Sequence, residues 1–150
     1  MEGVVGGSFG LLAMLFLGFV GFAVSLATFI EFSRASGSPL CRPGSKIDCL
    51  RVYSMPQAWV MGFHLSQLAP LFYSFMLALE VIALAFNSVA ALRLVAILSL
   101  GASLLAPYMV YLMVRYARAV CIYCLLMHAS TILIAILTYR AALEALALTK

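Results

Sequence analysis

Four cysteines carry the reactive chemistry of this chain: Cys41 and Cys49, then Cys121 and Cys124. Each pair can cycle between dithiol and disulfide, and thiolate attack on a disulfide moves two electrons from one pair to the next. Cys121-Ile122-Tyr123-Cys124 opens an apolar run that reads as a helix. Unpaired N–H groups and the helix dipole favour a thiolate in such a first turn. Arg115 and Arg118 just upstream are expected to add positive potential. The i, i+3 spacing puts both sulfurs on one helical face, with Cys124 about one turn deeper. Cys121 is therefore expected to meet protein thiols near the water, and Cys124 to face a lipid-soluble acceptor.

Cys41 and Cys49 are separated by Arg-Pro-Gly-Ser-Lys-Ile-Asp, which reads as a flexible, exposed segment. Such a loop can turn one thiol outward and the other inward. Two other readings use the same residues. A CxxC and a second pair can ligate zinc, although the wide spacing of the loop pair fits poorly, and no metal is expected. Two structural disulfides are the bland alternative, but a CxxC disulfide closes almost no loop.

His128 follows Cys124 by four residues on the same helical face. An imidazole in a bilayer needs a partner or a role. It can hydrogen-bond a quinone carbonyl or pass a proton, and the competing reading is a helix–helix hydrogen bond. His64, at the start of a span, reads as an interfacial residue. Glu80, inside a span, is expected to pair with Arg93 or to snorkel.

The elements that must position these residues are membrane helices. The chain has 150 residues, 66% hydrophobic and 9% charged, and a mean hydropathy of +1.15. Soluble domains average roughly 45–50% apolar and about 25% charged residues. One integral membrane domain over 1–150 is expected. The net charge of +4 is scattered and forms no basic tract, so nucleic-acid binding is excluded as an expectation. Met1 to Gly7 lacks a basic n-region and reads as the start of a retained span.

Long apolar runs, the first of them free of charge, predict spans at about 9–30, 65–86, 90–114 and 120–138. An active-site loop at about 33–61 joins the first two. Its second half, Leu50 to Met61, mixes apolar and polar residues and reads as a short interfacial helix, with Tyr53 and Trp59 at headgroup level. The fold class expected is an all-α membrane protein: a four-transmembrane-helix bundle with a short horizontal capping helix in the first outer loop. Two spans separate the cysteine pairs, so both pairs share one face. That face carries Arg34, Arg42, Lys46, Arg51, Arg115 and Arg118, against Arg93, Arg140 and Lys150 opposite. The positive-inside rule alone would put the cysteines in the cytoplasm. Disulfide chemistry puts them on the oxidising side, and that orientation is adopted because the charge bias is modest.

With these residues in place, the chain resembles the vitamin K epoxide reductase family in its minimal prokaryotic (archaeal or bacterial) form. The resemblance rests on Cys41, the run Cys49-Leu-Arg-Val-Tyr-Ser54, Trp59, Gly62, Tyr73 and Cys121-Ile-Tyr-Cys124. It covers about Leu40 to Tyr73 and Ala119 to Ser130, plus the four-span pattern. DsbB-type oxidases share the logic but carry the CxxC in the first outer loop. The resemblance implies a bundle around a quinone (menaquinone, ubiquinone or a related molecule) and an outward-facing site in the cell membrane.

Residue by residue, it implies that Cys124 reacts with the quinone and that Cys121 exchanges with Cys49. It implies that Cys41 accepts electrons from a thioredoxin-like (DsbA-like) protein, and that Tyr53, Trp59 and His128 lie at the quinone. His128 stands where animal relatives carry a Tyr, and no Asn on the cap or second span matches theirs. Plain quinone reduction, not epoxide reduction, is therefore the expected chemistry. Some relatives carry the thioredoxin-like partner fused at the carboxy terminus; here it is expected to be a separate protein.

Overall fold

The computed structural model describes residues 7–34 and 40–148, with side chains described over 9–34 and 40–141. The reading of Met1 to Gly7 and the loop stretch 35–39 therefore fall almost wholly outside the described residues. Four long helices dominate: α1 (Gly7–Arg34), α3 (Leu65–Phe86), α4 (Val89–Leu112) and α5 (Ile122–Leu148). Each is long and apolar enough to cross a membrane. Large apolar side chains such as Phe16, Phe19, Phe75, Ile97 and Leu104 face outward. In water this would be an oversized apolar patch, but in a bilayer it is ordinary lipid contact.

The helices pack in a ring: α1 against α3 and α5, and α4 against α3 and α5. Local chemistry sets their ends. Asn87 takes a left-handed conformation (φ 48°) and its N–H closes α3 on the Ala83 carbonyl. Ser88 then caps α4, accepting the Ala91 N–H. That turn makes α3 and α4 antiparallel neighbours. Gly21 on α1 leaves room for the Tyr73 ring, which a Cβ there would overlap. Tyr73 donates its hydroxyl hydrogen bond to the Met127 carbonyl at 2.7 Å and meets Thr131 Oγ1, also at 2.7 Å. One tyrosine thus joins α1, α3 and α5.

At the other end of α4, a π-helical turn covers Met113–Ala117. Arg118 closes it in a left-handed conformation (φ 50°), with its N–H on the Met113 carbonyl. The helix expected to end near 114 thus runs to 117, and the chain then turns sharply toward Cys121.

The first loop departs from expectation. In place of one helix across Leu50–Met61 there is a single helical turn, α2 (Cys49–Tyr53), then a 3-10 turn at Pro56–Ala58. A two-residue hairpin follows, β1 (Trp59–Val60) against β2 (Phe63–His64). Pro56 cannot continue α2. Met61 (φ 50°) and Gly62 (φ 87°) supply the paired positive φ values of a type I′ hairpin turn.

Candidate redox site

The site grows out of two helix starts. Asp48 caps α2, accepting the Arg51 N–H at 3.1 Å through one oxygen and the Gly44 N–H at 2.7 Å through the other. The Arg42 N–H donates to the Ile47 carbonyl at 3.0 Å. The segment between Cys41 and Cys49 is exposed, as expected, but it is a hydrogen-bonded turn and not a slack tether. It brings the two cysteines into a disulfide with Cα atoms 5.4 Å apart. Both are buried. Across the site, the Val120 N–H donates to the Lys46 carbonyl at 2.9 Å. This bond fastens the entrance of α5 to the loop.

Cys121 and Cys124 are free, buried thiols. Cys121 stands immediately before α5, and its sulfur accepts the Cys124 N–H at 3.3 Å. Tyr53 Oη lies 3.3 Å from the same sulfur. The hydrogen bond from the Cys124 thiol holds the Cys121 thiol below its ordinary range, against the opposing effect of burial. The Tyr53 hydroxyl and the N–H groups of Cys124 and Tyr123 reinforce this. Tyr53 is pushed the other way, first by burial and then by negative charge on the two sulfurs, so its proton stays in place as a donor. Arg115 and Arg118, expected to supply positive potential, are exposed and are not among the influences on Cys121. Hydrogen bonds perform that task.

All four cysteines, Tyr53, Val52 and Met55 belong to one buried cluster at this end of the bundle. Below it, between α3, α4 and α5, lies a cavity of about 610 Å³ with mainly apolar walls. Its lining includes Tyr53, Cys124 and His128. Cys124 thus opens on the cavity while Cys121 lies against Tyr53. His128 is half-buried, and its ring makes no hydrogen bond among the described residues, so the helix–helix hydrogen bond is not formed. The size and apolar walls fit a quinone head group, with the imidazole as a polar contact.

Trp59, expected at the quinone, is half exposed and lies outside the cavity lining. It packs edge-on against Phe32 and His64. His64, expected at the interface, is fully buried. Its Nδ1 accepts the Ser66 N–H at 3.1 Å, so Nε2 carries the proton and donates to the Tyr53 carbonyl at 2.9 Å. Its ring stacks on Phe32, with centroids 3.8 Å apart. The spacing His64-Leu-Ser-Gln67 is a capping-box pattern, and it is the signal that identifies His64 as a helix cap. Glu80, expected to pair with Arg93, is buried with both oxygens unpartnered among the described residues, beside Gly18. Arg93 is exposed. Glu31 lies close to Cys41 and Cys49, a placement that no local pattern announces. With the two sulfurs joined, these three groups have no thiolate to offer a metal.

A family model, the vitamin K epoxide reductase family, matches residues 12–139, which include all four cysteines. The chain belongs to the vitamin K epoxide reductase family. Among individually curated proteins, none is similar enough in sequence to count as a match. Membership makes this chain a multi-pass membrane thiol–disulfide oxidoreductase. The Cys41–Cys49 disulfide is consistent with that chemistry, and the family uses a quinone.

Proposed function

We propose that the protein forms disulfides by passing electrons from an extracytoplasmic dithiol protein of the thioredoxin type to a membrane quinone. The thiolate of that protein attacks Cys41 and opens the Cys41–Cys49 disulfide. Cys49 then exchanges with Cys121, and Cys124 becomes the sulfur facing the acceptor. A bound quinone supplies the sink for two electrons and two protons. Cys124 and His128 would line its site, with Tyr53 at the upper wall.

One observation carries this reading: a loop disulfide and a free CxxC share one buried cluster, and only Cys124 of the second pair opens on the cavity. A relay needs that order, outer pair to inner pair to acceptor. The stabilisation of Cys121 as a thiolate supports its role as the sulfur released and re-attacked during exchange. The cell membrane and the outward face are part of the proposal, because disulfides persist on the oxidising side.

The test uses purified protein, dithiothreitol and a short-chain quinone, with thiol trapping in each Cys→Ser variant. Dithiol-dependent quinone reduction is expected, with all four cysteines cycling. In cells, a membrane-impermeant thiol reagent should label both pairs from outside after reduction. Labelling of the two pairs from opposite faces would defeat the relay.

A further inference from the structure

Glu31 sits near the end of α1, only 8% exposed. Both of its carboxylate oxygens are shielded from solvent and have no hydrogen-bond partner among the described residues. One carboxylate oxygen, Cys41 Sγ and Cys49 Sγ all lie within 4.8 Å of one another. The next residue, Phe32, packs against Tyr53 and His64, so α1 is held firmly at this point. A buried carboxyl group that faces no donor and lies beside two sulfurs is placed to exchange a proton with them. A sulfur released from a disulfide in a dry site has the matching need, because no water reaches Cys49 to solvate a thiolate.

We infer that Glu31 is the proton exchanger of the Cys41/Cys49 pair, a role that rests on the disulfide relay above. When a thiolate of the dithiol partner attacks Cys41, a sulfur–sulfur bond to Cys41 forms and the Cys41–Cys49 bond breaks. The electron pair goes to Cys49, which takes the Glu31 proton, leaving a thiol and a carboxylate. When Cys49 next attacks an oxidised Cys121–Cys124 pair, its bond to Cys121 forms and the Cys121–Cys124 bond breaks. The electron pair goes to Cys124, and the Cys49 proton returns to Glu31. The group formed by Glu31 and Cys49 thereby never holds two negative charges, and the same proton serves every turnover.

The decisive experiment reads the loop pair alone, in a Cys121→Ser/Cys124→Ser background of the full chain. Opening of the loop disulfide by dithiothreitol is followed by stopped thiol trapping. Glu31→Gln, which keeps the shape but has no exchangeable carboxyl proton, should slow this step about 100-fold. Glu31→Asp should recover part of the loss. The infrared difference spectrum of the same reaction should show loss of a protonated-carboxyl band and gain of an S–H band. Glu31→Gln should lack the carboxyl component.

Opening of the disulfide at the wild-type rate in Glu31→Gln overturns the inference, and so does an unchanged carboxyl band in the protein that retains Glu31. If Glu31→Gln does not fold, the infrared spectrum of the protein with Glu31 decides alone. Neither readout involves a quinone. Failure of the intact protein to reduce quinone would count against the relay, whereas these outcomes bear on Glu31.

Discussion

Cys121 Sγ and Tyr53 Oη stand 3.3 Å apart across 68 residues of sequence. The contact joins the last turn of α2 to the start of α5, so the phenol links the loop that holds one cysteine pair to the helix that holds the other. As a thiol Cys121 donates to the phenol oxygen, and a phenol kept protonated by burial donates back once the sulfur is a thiolate. Removing its hydroxyl should change the chemistry of Cys121 more than the fold.

Tyr53→Phe tests this. The hydroxyl lowers the Cys121 thiol pKa, so its loss should raise it and leave less thiolate at a given pH. A hydrogen bond to a charged group is worth about 1.5–3 kcal/mol, or about 1–2 pH units. The pH midpoint of Cys121 alkylation in the reduced protein should rise by about that amount. An unmoved midpoint would show that the other hydrogen bonds suffice.

Cys41→Ser separates the two ends of the relay. It removes the thiol proposed to meet a protein partner and leaves Cys121, Cys124 and the cavity intact. Turnover with dithiothreitol should persist, while oxidation of a thioredoxin-type dithiol protein should stop. Cys121→Ser and Cys124→Ser should each stop protein oxidation. Normal oxidation of the protein by Cys41→Ser would show that Cys41 is not the entry point.

His128→Ala should lower quinone reduction by roughly 30- to 1000-fold, the range for losing a well-aimed donor worth ~2–4 kcal/mol in a dry site. The redox state of the four cysteines should not change. His128→Tyr, which restores a donor, should recover part of the loss. A packing role predicts a lower Tm in detergent with normal turnover in the folded fraction.

His64→Ala probes the cap of α3. It removes the donor to the Tyr53 carbonyl, the acceptor for Ser66 and the stack on Phe32. The buried groups left without partners should cost about 2–4 kcal/mol. A drop in Tm of about 4–16 °C follows for a chain of this size, measurable by thermal unfolding in detergent. A change of only a degree or two would mean that water or neighbouring side chains replace the imidazole.

Local signals located the helices. Long apolar runs marked all four, Asn87-Ser88 marked the turn between α3 and α4, and the CxxC marked the start of α5 to within a residue. The loop was less legible. Apolar and polar residues alternate over Leu50–Met61 in a way that fits a surface helix, but Pro56 and the Met61-Gly62 turn break it into three pieces. The surroundings of His64 and Glu31 depend on partners far away in sequence. Glu31 is the first charged residue after the 9–30 run, and only the fold sets it beside Cys41 and Cys49. Trp59 has the composition of an interfacial anchor and the family's position. Its packing on Phe32 and His64 comes from a hairpin that periodicity does not reveal.

The 2.9 Å bond from the Val120 N–H to the Lys46 carbonyl acts as a latch. It closes the loop over a disulfide whose two sulfur-bearing residues are at most 1% exposed. In-line attack by a thiolate needs more room than that, so in the proposed relay this bond must loosen before Cys41 can be reached. The rate at which any dithiol opens the pair would then be set by how often this bond opens as well as by the thiol's own reactivity.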